Sequence, residues 1–340
     1  MYSKIVPQKL FSVEKKKKNQ KKTDFKFIDL FAGIGGTRIA FERVGGECVF
    51  SSEWDKDSQK TYYANFGEIP HGDITKIKEK EIPDFDVLVA GFPCQPFSSI
   101  GKRQGFKHKT QGTLFYDIAR ILDAKRPSAF LLENVKGLTT HNNGDTLKTI
   151  VSVLEDELGY KTFYKVLDAS NFGVPQKRER VYIVGFKSEL LTKDDKFNHP
   201  EGKMNNVYIN DFLEKDAQGY SISEHLQNNY LFKIDDGRPK LVNKNSNIHV
   251  KTLVASYHKI QRLTGTFVED GPTGIRLFTE NECKAIMGFP KDFIIPVSRT
   301  QMYRQFGNSV AVPAVQAVAK SIKEFMTKNN ILGEKRANQK

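Results

Sequence analysis

Cys94 is the side chain of this 340-residue sequence whose surroundings best suit nucleophilic chemistry. The apolar run 85–90 precedes it and has the length of a buried strand, which we count as the fourth. Pro93 and Pro96 stiffen the loop, because each proline fixes its own φ and pushes the preceding residue towards extended backbone. Several basic residues follow, and neighbouring positive charge favours the reactive thiolate. The alternative interpretation is a cysteine buried as a small hydrophobe.

A carboxylate and two arginines occur further along the chain. Residues 129–132 predict a fifth buried strand that ends on Glu133, which places this acid at the same sheet edge as the cysteine. Arg178 and Arg180 precede the predicted strand 181–186, and their spacing of two directs both side chains to one face. There they can hold a phosphate, a base edge or Glu133. The alternatives are an ordinary surface acid and a solvated, charged strand start.

The elements that must position these groups begin with a nucleotide-binding arrangement. The predicted strand Phe25–Leu30 leads into the turn Phe31-Ala32-Gly33-Ile34-Gly35-Gly36 and a helix over 37–44. Glycines in such a turn let backbone N–H groups approach a ligand at a helix N-terminus. The next predicted strand, 48–52, ends at Glu53-Trp54. An acid about 20 residues after the glycine turn can accept hydrogen bonds from ribose hydroxyls. This spacing does not separate a nicotinamide cofactor from S-adenosylmethionine.

Helices and strands continue to alternate, and the character of the chain then changes. Helical spacing predicts helices over 114–124 and 146–158, and a strand over Tyr160–Asp168 follows. From about residue 187 to 270 the periodicity fades, with strand-like pieces such as 251–257, so we expect a smaller, irregular second domain. A last helix is predicted from 305 to about 326.

The net charge is +13, from 53 basic and 40 acidic residues, and it is concentrated at the chain ends. Residues 1–26 hold nine lysines against two acids, and residues 320–340 hold six basic groups against two acids. Basicity of this kind favours a nucleic-acid partner, with plain solubility as the alternative. Residues 1–24 are predicted to be a disordered basic arm; a nuclear-import signal and a solvated tail are the alternatives.

The cysteines and the hydropathy pattern argue against several classes of protein. Cys48, Cys94 and Cys283 form no CxxC pair, which disfavours a zinc site and a disulfide framework. No apolar run reaches membrane-spanning length, and the N-terminus lacks the apolar region of a signal peptide. We therefore expect a cytoplasmic protein without a metal or a membrane partner.

Six blocks, in one order over about residues 25–325, resemble those of the C5-cytosine DNA methyltransferases of bacterial restriction–modification systems. Pro93-Cys94-Gln95-Pro96-Phe97-Ser98 resembles the family's nucleophile motif, and the turn 31–36 resembles its cofactor motif. The other matching blocks are 133–135 (Glu-Asn-Val), 176–180 (Gln-x-Arg-x-Arg), 276–290 and 305–310. In the block 276–290 the match is loose, because Asn281 and Lys284 depart from the family's usual arginines.

The resemblance implies an α/β fold with a doubly wound, mostly parallel sheet of the S-adenosylmethionine-dependent methyltransferase kind. Helices would cover both faces, and a smaller, irregular, partly β second domain would follow. The chain would divide into a basic arm (1–24), a catalytic cofactor-binding domain (25–186 plus 304–340), a target-recognition domain (187–280) and a hinge (281–303). DNA would lie in the cleft.

S-adenosylmethionine is the cofactor that the resemblance implies. Asp73 would bind its adenine amino group, and the motif 305–310 would fold back beside it. The implied cofactor contacts are Phe31, Gly33, Ile34, Gly35, Gly36, Glu53, Trp54, Asp73, Ile74, Pro93, Leu114, Asn308, Ser309 and Val310. In the family the loop that matches 99–112 closes over DNA, which implies DNA contacts by Ser98, Ser99, Lys102 and Arg103.

The implied reaction is methylation of cytosine carbon 5 in double-stranded DNA. Cys94 would attack carbon 6 covalently, which splits one difficult step into two easier ones. Glu133 would protonate or hydrogen-bond N3, while Arg178 and Arg180 orient that carboxyl and the C2 oxygen. The cytosine must leave the base stack for this chemistry. We expect a monomer on DNA and a cognate restriction endonuclease that acts on the same sequence.

Base reading is assigned to the second domain, around residues 251–267, with Gln261 and Arg262 as candidate base-contacting side chains. The alternative is that they are ordinary exposed strand residues. Two other functions stay open: a tRNA cytosine-C5 methyltransferase of the same superfamily, and a catalytically silent DNA-binding protein that retains the fold. An amino-methyltransferase is disfavoured, because no Asp/Asn-Pro-Pro-aromatic sequence occurs.

Overall fold

The computed structural model describes residues 23–93, 114–203 and 206–332. Cys94 and the expected DNA contacts Ser98, Ser99, Lys102 and Arg103 lie outside these ranges, as does nearly all of the basic arm. The predictions for these residues therefore stay predictions.

Within the described residues, six strands form a central sheet and two short strands form a second one. The strands are β1 Phe25–Leu30, β2 Gly46–Ser52, β3 Val87–Gly91, β4 Ala129–Val135, β5 Tyr160–Asp168, β6 Glu179–Lys187, β7 Lys240–Val242 and β8 Thr266–Val268. The helices are α1 Gly36–Arg43, α2 Lys56–Phe66, α3 Leu114–Lys125, α4 Asp145–Ser152, α5 Glu224–Leu226, α6 Glu280–Met287, α7 Arg299–Asn308 and α8 Val312–Lys328.

The central sheet has the strand order β2-β1-β3-β4-β6-β5. The first four strands in this order pair in parallel, whereas β6 pairs antiparallel with both β4 and β5. β2 lies on one side of β1 and β3 lies on the other, so the strand order reverses its direction at β1. Ligands bind outside the carboxyl ends of strands at such a switch point. The predicted doubly wound, mostly parallel sheet is confirmed.

The inner strands β1, β3, β4 and β6 are mainly buried on both faces, and this is why helices cover both faces. Successive side chains of a strand point to opposite faces, so a continuous apolar run needs burial on each side. Phe27 and Val89 face one hydrophobic cluster, to which α1, α8 and much of the second region (residues 187–280) contribute. Ile28 and Leu88 face the other cluster, to which α3 and α4 contribute.

The predicted strands differ from the observed ones in two places. β3 and β4, which we counted as the fourth and fifth strands, are the third and fourth, and between β2 and β3 His71 makes only an isolated bridge to Ser52. Residues 251–257 are not a strand. Their backbone groups bond to the segment 176–178 rather than to a neighbouring strand, and the chain then enters a 3-10 turn at Tyr257–Lys259.

The predicted last helix is two helices. α7 ends at Asn308 and α8 begins at Val312. Pro313 has no N–H to donate inside a continuing helix, but it is tolerated in a first turn. Of the residues at this break, Ser309 lines the cavity described next.

Candidate active site

A cavity of about 650 Å³ opens at the carboxyl ends of β1, β3 and β4, at the switch point of the sheet. Ligand sites of enzymes have this size. The predicted site residues that line it are Phe31, Gly33, Ile34, Glu53, Trp54, Asp73, Ile74, Pro93, Leu114, Glu133, Arg178, Arg180, Asn308 and Ser309. The fold therefore brings together most of the predicted cofactor and catalytic residues that it describes.

The turn after β1 has a left-handed backbone that a carboxylate holds in place. Phe31, Gly33 and Gly35 have φ angles of 57°, 56° and 86°. Glu53 Oε2 accepts a hydrogen bond from the Gly33 N–H at 2.8 Å, and Glu53 Oε1 accepts one from the Asp55 N–H at 2.7 Å. A Cβ added at Gly33 would meet nothing within 4 Å, so the turn borders open space. Each Glu53 oxygen keeps a second lone pair for a hydroxyl of a ligand.

Gly35 and Gly36 support the cavity wall from behind. A Cβ at Gly36 would lie 2.9 Å from Ser309 Oγ and 3.1 Å from a methyl carbon of Val310. A Cβ at Gly35 would lie 2.2 Å from the ring of Phe66. Both glycines are needed for close packing, and Gly36 lets the break between α7 and α8 lie against the N-terminus of α1. Gly35, Gly36 and Val310 are not among the lining residues.

Asp73 and Trp54 present an acceptor and a ring to the cavity. Asp73 Oδ1 accepts from the Thr75 hydroxyl at 2.8 Å and from the Thr75 N–H at 3.1 Å. These bonds, above all the one from the hydroxyl, hold the pKa of Asp73 below its usual range, so its carboxylate is an acceptor. Trp54 is 76% exposed, and an exposed indole is a large flat surface on which a ligand can pack.

Glu133 lies beside the residues that lead to Cys94. In the register of β3 and β4 it is the partner of Gly91. Its Oε1 is 3.2 Å from Arg180 Nε, and the two side chains are 14% and 15% exposed. Burial raises the pKa of Glu133, and the charges of Arg180 and Arg178 oppose this rise. A carboxyl that keeps its proton more strongly than usual can act as an acid.

Arg178 has other partners than those expected. Its guanidinium donates to the backbone carbonyls of Leu253 at 3.1 Å, Gly307 at 3.0 Å and Ser309. The side chain is buried, and burial lowers its pKa to about 9. Arg178 lies before the first residue of β6. The alternation of side chains between the two faces of a strand therefore fixes the direction of Arg180 but not that of Arg178. Of the two arginines, only Arg180 pairs with Glu133; Arg178 joins the second region to the break between α7 and α8.

Asn134 has a positioning role that we did not predict. Its Nδ2 donates to the carbonyl of Phe92 at 3.0 Å, and its Oδ1 accepts from the Val135 N–H at 2.8 Å. The side chain is buried. This bond ties the end of β4 to the backbone two residues before Cys94. The Glu-Asn-Val block pointed to this residue. Only the register of the sheet, however, shows which backbone group its amide contacts.

Asp29 is a buried carboxyl in β1, beneath the glycine turn. It is 1% exposed, and neither oxygen makes a hydrogen bond of ordinary geometry with a described residue. Burial raises its pKa to about 8, and the charge of Arg38 opposes this rise. The folded state therefore binds this proton more tightly than the unfolded state does.

Replacement of Asp29 with asparagine is expected to change how stability depends on pH. The pKa of Asp29 is higher in the folded state than in the unfolded state, so the protonated acid stabilises the fold. This stabilisation is complete below about pH 4 and is lost as pH rises through about 8. Asp29→Asn has no proton to lose, so its stability relative to wild type should rise between about pH 5 and about pH 8, by up to about 1.4 kcal/mol per pH unit. Urea unfolding over this range measures the difference. The exposed Asp145→Asn is the control, and a pH-independent difference for Asp29→Asn would contradict the argument.

Gln261 and Arg262, the candidate base readers, do not line the cavity. Gln261 is exposed, as a base-reading side chain must be. Arg262 is 8% exposed, and its guanidinium bonds to Asp236 and to the carbonyls of Leu231 and Ile234. These partners occupy its donors, so the prediction that Arg262 contacts a base is corrected, whereas that for Gln261 stays a prediction.

Comparisons with known proteins agree with this geometry. Residues 25–324 match the family described as C-5 cytosine-specific DNA methylase. Type II methyltransferase M.MspI of a Moraxella species is 60% identical over 306 residues, which cover 90% of this chain and 72% of that protein. Type II methyltransferase M.BsuFI of Bacillus subtilis is 62% identical over 299 residues, which cover 88% and 72%.

A solved structure shows the same fold at lower sequence identity. A mutant of Spodoptera frugiperda DNMT2 has a TM-score of 0.71 to this chain at 24% identity, over 87% of this chain and 99% of that one. In the ranges that the structure describes, no helix combines the length and hydrophobicity needed to cross a bilayer. The same ranges contain no group of three or more His, Cys, Asp or Glu side chains arranged to bind a metal ion.

Proposed function

This chain belongs to the C-5 cytosine-specific DNA methylase family, as a methyltransferase of the type II restriction–modification kind, and we propose that it methylates a flipped-out cytosine within one short duplex sequence through a covalent bond to Cys94. The observation that supports this mechanism best is the pair of Glu133 and Arg180. A largely buried carboxyl with a raised pKa lies at the sheet edge to which β3 delivers the Cys94 loop.

The chemistry follows from the weakness of cytosine carbon 5 as a nucleophile. Attack by the Cys94 thiolate on carbon 6 pushes electrons into the ring, and Glu133 donates its proton or a hydrogen bond to N3 as negative charge develops there. Arg180 holds the Glu133 carboxyl in orientation through the contact from its Nε. After carbon 5 has been methylated, loss of its proton restores the double bond and expels the thiolate of Cys94. A stacked base is inaccessible to these groups, so the cytosine must be flipped out.

The lining residues fit S-adenosylmethionine as the cofactor. Glu53 offers acceptors at the distance along the chain expected for ribose hydroxyls, Asp73 offers a carboxylate to an amino group, and Trp54 offers a ring. The open space beside Gly33 lets a ligand approach the backbone closely. When bound, S-adenosylmethionine supplies an electrophilic methyl group on its sulfonium.

Cofactor binding is expected to change the fluorescence of Trp54. This is the single tryptophan of the chain and it lines the cavity, so its emission reports on that site. Titration with S-adenosylmethionine should give a saturable change. Glu53→Gln, which keeps Trp54, should bind at least about tenfold more weakly, because it loses charge-assisted hydrogen bonds that are worth roughly 1.5–3 kcal/mol. Equal affinities of wild type and Glu53→Gln would contradict the assignment.

The second region, 187–280, is proposed as the target-recognition domain, and 281–303 as the hinge to the catalytic domain (25–186 plus 304–340). The substrate is double-stranded DNA, bound by one monomer, and a cognate restriction endonuclease would act on the same sequence. The proposed location is the cytoplasm.

Bisulfite sequencing of DNA from cells that express the protein tests the activity and identifies the target. Methylation confined to one short sequence is expected, and unmethylated DNA would contradict the proposal.

A further inference from the structure

A segment of the second region presents large apolar side chains to solvent. Tyr230, Phe232 and Ile234 are 44%, 41% and 60% exposed, and Leu263 in a neighbouring loop is 58% exposed. Only Leu231 of the segment 230–236 is buried. A contiguous patch of exposed apolar side chains on a soluble protein marks an interaction site, whereas single exposed apolar side chains do not.

Arg262 holds this segment in place. Its Nε donates to the carbonyl of Leu231 at 2.9 Å, and its Nη2 donates to the carbonyl of Ile234 at 2.7 Å. Its Nη1 lies 3.0 Å from an oxygen of Asp236, and Nη2 contacts the other oxygen. A planar guanidinium makes such a forked contact, whereas a lysine ammonium does not. The hydrogen bonds from Arg262 hold the pKa of Asp236 below its usual range, so the pair stays charged at neutral pH.

The small sheet explains why the two loops are neighbours. The segment 230–236 leads into β7, and the loop 256–265 leads into β8. These strands pair in parallel, with Lys240 opposite Thr266. The amino ends of parallel strands lie at one edge, so the two loops that enter them emerge side by side. The side chain of Arg262 connects the two loops through its hydrogen bonds to the segment 230–236.

The loop 256–265 is tied to the active site. It continues from residues 250–255, where the Leu253 N–H donates to Gln176 Oε1 at 2.6 Å and the Leu253 carbonyl accepts from Arg178. The Thr252 hydroxyl donates to the carbonyl of Lys177 at 2.8 Å. These partners lie just before Arg180, the residue that pairs with Glu133. The surface made by the two loops is therefore held in a fixed relation to the cavity.

The loop presents an exposed donor on a rigid backbone. Gln261 Oε1 accepts from the hydroxyls of Ser256 at 3.3 Å and Thr264 at 3.0 Å, which directs its amide NH₂ group outward. Ile260 has a φ of 54°, a conformation that is strained for a β-branched residue and persists only where the surroundings impose it. Such an amide can read a base edge.

We propose that Arg262 is a positioning residue for sequence recognition: it touches no base, but it holds the segment 230–236 beside the loop 256–265 so that both meet the duplex as one surface. The inference rests on the proposed function and goes beyond it, because it assigns selectivity to a buried contact. Without Arg262 the exposed segment keeps one buried side chain, Leu231, and becomes mobile. Every base pair that the two loops read is then discriminated less well.

Arg262→Lys tests this, because it keeps the charge and removes the fork. Once the target of the wild type is known, kcat/KM is measured on the target duplex and on duplexes that each carry one changed base pair. The ratio between them should fall about tenfold or more at several positions together. Hydrogen exchange should accelerate in 230–238 but not in β1–β4. Asp236→Asn, which changes an exposed partner, should shift both readouts in the same direction by less. Arg238→Lys, which changes an exposed arginine just after the segment, should shift neither.

Four outcomes separate the possibilities. Loss of discrimination at one base pair only would show that Arg262 contacts a base and would overturn the inference. Unchanged selectivity in Asp236→Asn and Arg262→Lys, with faster exchange in 230–238, would overturn it as well. If Arg262→Lys does not fold, the selectivity of Asp236→Asn decides. A wild-type protein that methylates no specific duplex sequence would instead overturn the proposed function.

Discussion

Replacement of Cys94 with alanine is expected to abolish methyl transfer to DNA, with a fall in rate of at least about 10⁴-fold. Without the thiolate nothing adds to carbon 6, and carbon 5 stays too poor a nucleophile to take a methyl group. Cofactor binding should survive, because Glu53, Asp73 and the turn after β1 come from other segments of the chain. The measurements are transfer of labelled methyl groups to duplex DNA and the emission of Trp54.

Cys48→Ala is the matched control for this experiment. Cys48 lies in β2 and is partly buried, and desolvation raises the pKa of its thiol to about 12, so it is not a nucleophile at neutral pH. A target duplex with 5-fluorocytosine should trap the wild type and Cys48→Ala covalently, because fluorine replaces the proton whose loss releases the enzyme. Cys94→Ala should not be trapped. Turnover by Cys94→Ala would contradict the assigned nucleophile.

Replacement of Glu133 with glutamine is expected to lower kcat/KM by roughly 10²–10⁴-fold, the usual contribution of a general acid. Glutamine keeps the shape of the side chain, but it has no acidic proton for N3 and no charge to pair with Arg180. Single-turnover methyl transfer at saturating cofactor isolates this step. Glu179→Gln is the control, because Glu179 is an exposed acid of the same sheet that pairs with Lys136.

The pH dependence of the same step gives a second test of Glu133. The neutral carboxyl is the active form, so activity should fall as pH rises through the pKa of Glu133, which burial has moved above its usual range. Glutamine does not titrate, so the variant should lack that decline. A variant that retains the same decline would show that another group controls it.

The parts of the fold that could be predicted are those governed by local pattern. β1 and β5 have the predicted bounds, Phe25–Leu30 and Tyr160–Asp168. In β1 four of the six residues are apolar, and a short, mainly apolar run between polar segments has few alternatives to a strand. The position of Glu133 could be predicted for a related reason, since strands that run in parallel end at one sheet edge and residues after them must meet there.

The parts that could not be predicted depend on contacts between distant residues. Residues 251–257 look like a strand by composition, but their backbone partners are residues 176–178, more than 70 positions earlier. Arg262 looks like a base reader because arginines usually lie at the surface, and its partner Asp236 is 26 positions away. Asn134 likewise bonds a carbonyl that only the register of β3 and β4 brings close. Composition and spacing contain no information on such pairings.

Methyl transfer by the purified protein to duplex DNA and to tRNA, measured side by side with the same labelled S-adenosylmethionine, is the decisive test of the proposed substrate. We expect label in the duplex as 5-methylcytosine, at one cytosine of a single short sequence, and none in the tRNA. Label in tRNA alone, or a methyl group on the exocyclic nitrogen of cytosine, would contradict it.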